Sequence, residues 1–219
     1  MDYLDVAVRF AVFFVPLLFS LCFHEYAHGW VAKLRGDRTA EMMGRLTMNP
    51  IAHMDMIGTV LLPALSILTN SSLFFGWAKP VPVNPRNLKN PLTDMFWVAL
   101  AGPLSNIILA IIGSLGLVIL GLSFSTLTYF AGMKTLLQQF ILTNLFLAFF
   151  NLIPLHPLDG GKILARFLPH SVNQKLEENE HMTGILLMVL MLMGALRLLA
   201  VPVMFTYETL ISIAIGIFS

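Results

Sequence analysis

Hydrophobic positions in this chain form long uninterrupted stretches and do not alternate with polar ones. No Asp, Glu, Lys or Arg occurs within residues 10–24, 56–78, 95–133 or 135–158. A helix rises 1.5 Å per residue, so about 20 uncharged residues suffice to cross the hydrocarbon core of a bilayer. The pattern therefore predicts membrane-spanning helices at residues 4–34, 95–122 and 136–155, with one or two more in residues 183–219 and a break at Val201-Pro202.

Basic residues indicate how these helices are oriented. Residues 33–45 hold four Lys or Arg, and residues 79–89 and 162–175 hold three each, of 13 in the chain. The excess of basic residues in cytoplasmic loops predicts that all three loops are cytoplasmic and that the N-terminus lies outside.

The apolar segment 56–77 has two possible topologies. Pro63 and the run Asn70-Ser71-Ser72 interrupt it, so it is either a re-entrant hairpin turning near residues 70–72 or a plain single crossing. Residues 95–155 form an out-and-back pair. The three basic loops therefore share one side only if zero or two crossings separate residues 55 and 79, which favours the hairpin.

Prolines mark the following segment as extended. Pro80 and Pro82 alternate with Lys79, Val81 and Val83, which excludes a helix interior and predicts a short β-like loop. Such a strand has a free edge to which an unwound peptide could add as a further strand. We therefore treat Lys79, Val81 and Val83 as candidate substrate-binding residues.

Composition supports this picture and excludes other classes. The chain is 57% hydrophobic and 11% charged, against about 25% charged in soluble domains. A net charge of +1 offers no basic face to nucleic acid, and a single cysteine excludes a disulfide scaffold. We expect an all-α polytopic membrane protein with about five to six transmembrane helices, the hairpin and the β-like loop. It forms one domain over residues 1–219, with a core at about 10–165 and C-terminal helices at about 182–219.

The sharpest chemical feature is His24-Glu25-x-x-His28 at the end of the first predicted helix. Histidines four positions apart lie on one helix face and can both bind one metal ion. In zinc hydrolases with this spacing the glutamate takes a proton from zinc-bound water. Ionisable groups inside a membrane helix are costly unless they are paired or bind a metal, which favours a metal site over a chance match.

Asp159 is the best candidate for a third metal ligand. It follows a long uncharged stretch and lies next to the basic loop 162–175. Pro154 and Pro157 should break the helix before it, and broken backbone at membrane depth is tolerated where it lines protein or a watery cavity. The alternative role for Asp159 is a turn residue ahead of Gly160 and Gly161.

At these residues the chain resembles the site-2 protease family (M50), intramembrane zinc metalloproteases that cut within or near transmembrane segments. The resemblance rests on His24-Glu25-x-x-His28, Asn151-x-x-Pro154-x-x-x-Leu158-Asp159-Gly160 and Ala101-Gly102-Pro103-Leu104-Ser105-Asn106. Loop motifs at residues 36–40, 44–50 and 76–85 are similar to the compact bacterial branch, which lacks PDZ and CBS domains.

The resemblance implies a function and a ligand set. It implies an intramembrane zinc endopeptidase that cleaves transmembrane segments of single-span membrane proteins, in the lipid bilayer of the bacterial cell membrane. One Zn²⁺ per chain would be bound by His24, His28 and Asp159, with Glu25 as general base and the active site towards the cytoplasm. The alternatives are a membrane zinc hydrolase acting on signal-peptide remnants or other amides, and a non-enzymatic scaffold or metal transporter.

Four further polar residues are candidates for supporting roles. Asn151 could donate to the oxyanion, hold the substrate strand by similarity, or form only a helix–helix hydrogen bond. Asn106 is expected either to pack between helices or to support the ligands from behind. His156 and His53 could tune or cover the site, although a structural histidine bonded to backbone is the simpler interpretation for both.

Overall fold

The computed structural model describes residues 3–68, 77–124, 126 and 128–218, with the side chains of 3–6 and 66–68 left aside. This part of the chain is helical and contains no strand, so the all-α class is confirmed. The helices are α1 (Tyr3–Leu34), α2 (Thr39–Met42), α3 (Pro50–His53), α4 (Leu62–Leu68), α5 (Pro91–Phe124), α6 (Phe130–Asn151), α7 (Asp159–Ala165), α8 (His170–Glu178), α9 (Glu180–Leu192) and α10 (Ala200–Phe218).

Four helical segments are long and apolar enough to cross a membrane, in keeping with a multi-pass membrane protein. They are Ala7–Leu34, Pro91–Phe124, Phe130–Asn151 and Ala195–Phe218. Two shorter apolar helices, Met56–Leu65 and Glu180–Leu192, accompany them. At 34 residues, α5 is about 51 Å long and therefore extends beyond the hydrocarbon core.

Helices α1, α5 and α6 form the centre of the bundle. Leu17 and Leu21 of α1 pack against Leu147 of α6 in one buried cluster. In a second cluster, Ile141 of α6 packs with Ala110 of α5 and with residues of α10. Any polar side chain between these helices is therefore held by helices whose apolar faces are buried against each other.

All three basic loops lie at the same end of this bundle. The backbone N–H of Lys89 donates to the carbonyl of Arg35, and the N–H of Asn84 donates to the Asp37 carboxylate. Beyond α7, the ring of Phe167 packs edge-on against Phe96 near the start of α5. This common end is the arrangement that the charge count predicts.

The two ends of segment 56–77 lie next to each other. A π-helical turn, Met56–Leu61, is capped by the Asp55 side chain and continues into α4. The Thr59 hydroxyl donates to the Trp77 carbonyl at 2.7 Å, so the two ends of the segment lie side by side, as a re-entrant hairpin requires. The predicted turn at residues 70–72 lies outside the described residues.

The predicted break at Val201-Pro202 is wrong. Helix α9 ends at Leu192, Gly194 has φ +86°, and a 3₁₀ turn over Ala195–Leu199 leads into α10. Pro202 lies in the first turn of α10, where proline is tolerated because the N–H it lacks has no partner within the helix. The positive φ of glycine, and not the proline, marks the break.

Candidate metal centre

Helix α1 carries the two histidines on one face. The Nε2 atoms of His24 and His28 are 3.0 Å apart, and the rings meet edge to face at an interplanar angle of 88°. Both side chains are buried within the bundle. The spacing of four residues therefore brings two imidazole nitrogens to one point, as the sequence predicts.

Asp159 reaches the same point from the start of α7. Its Oδ2 lies 3.1 Å from Nε2 of His24 and 3.2 Å from Nε2 of His28. Helix α6 ends at Asn151, and a tightly folded loop precedes Asp159 at the start of α7. A Cβ on Gly160 would collide with the carbonyl oxygens of Leu152 and Ile153, so this loop can fold as it does only with glycine there.

These three ligand atoms fit a bound cation. They lie within 4.8 Å of one another and are all buried. Oδ2 of Asp159 has no hydrogen-bond partner among the described residues, although the two imidazole nitrogens are close to it. In tetrahedral zinc sites with bonds of 2.0–2.2 Å, neighbouring ligand atoms are about 3.3 Å apart. The spacing and the ligand types therefore suit zinc.

Carbonyl oxygens behind the histidines orient both rings. Nδ1 of His24 lies 2.7 Å from Oδ1 of Asn106, and Nδ1 of His28 lies 2.7 Å from the carbonyl oxygen of Val98. Because these oxygens only accept, each Nδ1 must carry the proton, which leaves the Nε2 lone pairs facing the ligand cluster. A supporting position was one of the two roles expected for Asn106, whereas the sequence gave no signal for Val98.

Gly102 on α5 allows the histidines to approach that helix. A Cβ at this position would lie 2.5 Å from Nε2 of His28 and 2.6 Å from Cε1 of His24. Since real Cβ contacts are longer, any side chain at Gly102 would displace the ligand rings. Gly102 belongs to the motif quoted for the family, yet its proximity to both rings becomes apparent only when α1 and α5 pack together.

Glu25 faces the extended segment 77–84. Its Oε2 accepts a hydrogen bond of 2.7 Å from the backbone N–H of Val81. The side chain of Val81 is buried, and a Cβ on Gly29 of α1 would lie 3.0 Å from its Cγ1. The segment therefore lies directly against the helix turn that carries Glu25.

Lys79 and Val83 lie on either side of this contact. The N–H of Lys79 donates to the carbonyl of His53, and its carbonyl accepts from Arg45 at 2.9 Å. The backbone N–H groups of Lys79 and Val81 are thus both used within the protein. Val83 is half-buried.

Asp37 anchors the far end of the segment. Its carboxylate accepts from the backbone N–H groups of Thr39 and Asn84, the Thr39 hydroxyl and the Asn87 amide. Burial acts to raise the pKa of the Asp37 carboxyl, but the hydrogen bonds from Thr39, Asn87 and Asn84 outweigh it and hold that pKa below its usual range. We did not predict this anchor from the sequence.

The remaining candidates have mainly local partners. Asn151 is half-buried and donates from Nδ2 to the Leu147 carbonyl at 3.0 Å. His53 is buried with Nε2 at 2.8 Å from the Thr47 carbonyl, a contact typical of a structural histidine. His156 is buried and its Nε2 has no partner in the described part of the chain. The structure does not bring either histidine into the group formed by His24, His28 and Asp159.

The chain is similar to known peptidases. The model of peptidase family M50 matches residues 12–130 and 114–195. "Putative zinc metalloprotease YwhC" of Bacillus subtilis is 40% identical over 178 residues, 80% of this chain and 78% of that protein. "Putative zinc metalloprotease Rip2" of Mycolicibacterium smegmatis is 30% identical over 182 residues, 82% of this chain and 66% of that protein. No solved structure matches the chain.

The chain therefore belongs to peptidase family M50, the site-2 protease family. It is a metalloendopeptidase embedded in a membrane by several helices. The resemblance noted in the sequence is confirmed at the level of family and enzyme class. The roles of individual residues and the substrate remain predictions.

Proposed function

We propose that the chain is an intramembrane zinc endopeptidase that cleaves transmembrane segments of single-span membrane proteins. The observation that carries the proposal is the buried cluster of His24, His28 and Asp159, whose two histidines lie on a helix long enough to span the membrane. Ligands of these types suit one zinc ion per chain. Glu25, adjacent to His24 in the sequence, is the general base.

The chain's own residues divide the chemistry between them. Zinc in such a site acidifies water and polarises a carbonyl group. Glu25 takes the proton from the attacking water and passes it to the leaving amine. The Val81 N–H holds Oε2 of Glu25, so Oε1 is the oxygen that accepts this proton. His24, His28 and Asp159 hold the metal, and the bundle limits access of bulk water.

The segment 77–84 and Asn151 are the proposed substrate contacts. The N–H groups of Lys79 and Val81 are engaged within the protein, and Pro80 and Pro82 have none, so the substrate strand donates its own N–H groups to carbonyls of this segment. The Nδ2 of Asn151 uses one of its two hydrogens on the Leu147 carbonyl, and its Oδ1 can accept from a substrate N–H. Asn151 is therefore proposed to hold the substrate strand, and oxyanion donation by its second N–H is the alternative.

We propose the bacterial cell membrane as the location, with the N-terminus outside and the site towards the cytoplasm. Both relatives come from bacteria. The three basic loops share the end of the bundle that carries the segment 77–84, and basic loops favour the cytoplasmic side.

The test is cleavage of a single-span protein reconstituted with the purified chain in vesicles. The wild type is expected to cut within the span, and Glu25→Gln to lose cleavage while keeping its zinc. Glu41→Gln, which changes a surface carboxylate, is the matched control and should cleave normally. Cleavage of isolated signal-peptide remnants without any cut in intact single-span proteins would replace the proposal with the signal-peptide alternative. Undiminished cleavage by Glu25→Gln would contradict the assignment of the base.

A further inference from the structure

A second buried amide lies behind the one that supports His24. Asn144 of α6 accepts from Nδ2 of Asn106 through its Oδ1 at 2.9 Å. Both asparagines have a relative exposure of 0%. Burying an amide inside an apolar bundle is unfavourable unless its hydrogen bonds are formed, so this pairing is an essential part of the packing of α5 against α6.

The hydrogen bonds that connect His24, Asn106 and Asn144 all donate in the same direction, from His24 towards Asn144 and the Phe140 carbonyl. Nδ2 of Asn144 donates to the Phe140 carbonyl at 2.9 Å, which leaves Oδ1 to face Asn106. Nδ2 of Asn106 donates both to that oxygen and to the Ser20 carbonyl at 3.2 Å. Backbone carbonyls only accept, so neither amide can turn over without placing two donors or two acceptors face to face.

The direction of the bonds determines what His24 meets. With Nδ2 of Asn106 committed to Asn144 and Ser20, its Oδ1 faces Nδ1 of His24 at 2.7 Å. That contact keeps the proton on Nδ1. If the Asn106 amide turned over, its NH₂ would face Nδ1 and the proton would move to Nε2, the atom that the metal requires.

We propose that Asn144 is a positioning residue for the metal site, acting by locking the Asn106 amide and thereby the tautomer of His24. The inference rests on the proposed function because it takes His24 as a ligand. It assigns to Asn144 of α6 a role in preparing a ligand of α1 through the intermediate amide of Asn106. Groups behind metal ligands commonly change metal affinity about 10–100-fold when they are removed.

Two variants of nearly equal shape test the proposal. Asn144→Thr keeps a hydroxyl that can donate to Phe140 and accept from Asn106, as Ser20 and Ser114 bond the carbonyls four residues before them. Asn144→Val has the shape of the threonine variant but can neither donate to Phe140 nor accept from Asn106. Zinc affinity of the purified protein, measured by competition with a chromophoric chelator, should fall about 10-fold or more in Asn144→Val and at most about 3-fold in Asn144→Thr.

The second readout is the position of the ring proton, by ¹⁵N NMR of His24 in the zinc-free protein. The wild type and Asn144→Thr should carry the proton on Nδ1, and Asn144→Val should show a substantial fraction on Nε2. A purely structural role would lower the thermal stability of Asn144→Val while leaving zinc affinity and the His24 proton as in the wild type. That result would overturn the proposal.

A double variant tests whether Asn144 acts through Asn106. Asn106→Asp presents an oxygen to His24 whichever way it turns, and because it also loses the N–H groups that bond Asn144 and Ser20, its own zinc affinity is the reference for the double variant. Adding Asn144→Val to Asn106→Asp should therefore leave zinc affinity unchanged. An equal loss of affinity from Asn144→Val in both backgrounds would contradict an action through Asn106.

Failure of the ligand assignment itself gives a different result. In that case His24→Ala binds zinc as tightly as the wild type, whereas failure of the present inference leaves His24→Ala defective and Asn144→Val normal. The NMR measurement needs no metal and decides the role of Asn144 in either case.

Discussion

The backbone N–H of Val81 donates to Oε2 of Glu25 at 2.7 Å, joining the extended segment 77–84 to the proposed general base. The contact spans residues far apart in the sequence and is made by a backbone group between two prolines. It fixes one carboxylate oxygen and leaves the other for proton transfer. The segment proposed to bind the substrate thus also orients Glu25, the proposed general base.

Removing this hydrogen bond should slow catalysis without removing zinc. Val81→Pro deletes the N–H within an already extended segment, and a hydrogen bond to a charged group contributes about 1.5–3 kcal/mol. We expect kcat to fall about 10–100-fold with little change in KM or zinc content. Val81→Ala, which keeps the N–H, is the control for the loss of side-chain packing. Equal kcat values for the two variants would rule out a role for the N–H.

Adding a methyl group at Gly102 should expel the metal. The Cβ of Gly102→Ala would lie 2.5 Å from Nε2 of His28, so the ligand rings must move. We expect zinc content, measured by elemental analysis, to fall well below half of the wild-type value. Gly116→Ala on the same helix α5 is the control, because a Cβ there meets nothing within 4 Å among the described residues. Normal zinc content in both variants would contradict the packing described.

Acid should weaken the anchor at Asp37. The pKa of its carboxyl is lower in the folded protein, so its stabilising contribution is present above the usual pKa of about 4 and is lost as the pH falls through the lower folded-state pKa. At pH 7, Asp37→Asn should lower Tm by about 2–6 °C, since an amide NH₂ then faces a donor.

Thermal unfolding in detergent, followed between pH 7 and pH 3, provides the measurement. The Tm difference between wild type and Asp37→Asn should shrink as the pH falls. A difference that is constant over this range would show that the ionised carboxylate of Asp37 does not stabilise the fold.

Asn151 should affect substrate binding and leave the metal unchanged. Its Nδ2 is bonded to the Leu147 carbonyl, which leaves Oδ1 for the substrate backbone. Loss of one hydrogen bond to a neutral group costs about 0.5–1.5 kcal/mol, so Asn151→Ala should raise KM about 3–10-fold at unchanged zinc content. Thr135→Ala, which removes a similar bond to a carbonyl four residues earlier in α6, is the control. A loss confined to kcat would instead favour oxyanion donation.

The sequence was sufficient to predict the long helices α1, α5 and α6 and the three candidate ligands, for clear physical reasons. Uncharged stretches of this length are required by a bilayer, and the four-residue spacing of His24 and His28 places them on one face of a helix. Asp159 could be predicted because a carboxylate at the end of an uncharged run needs a partner. Each of these signals is contained in a local stretch of sequence.

The backbone groups that support the site could not be predicted because they depend on how separate helices pack. The Val98 carbonyl and the Val81 N–H are backbone groups, so no side chain identifies them. Asn144 did offer a signal, an amide within an apolar helix two turns before Asn151. A buried amide without a hydrogen-bond partner would be energetically unfavourable, so the sequence indicates that Asn144 needs a partner. The structure shows that this partner is Asn106.

The central claim is that His24, His28 and Asp159 bind one zinc ion beside Glu25. Elemental analysis of detergent-purified wild type, Asp159→Ala and Glu25→Gln tests it most directly. We predict about one zinc per chain in the wild type and in Glu25→Gln, and almost none in Asp159→Ala, because three protein ligands are needed to hold the ion. Equal zinc content in the wild type and Asp159→Ala would contradict the account.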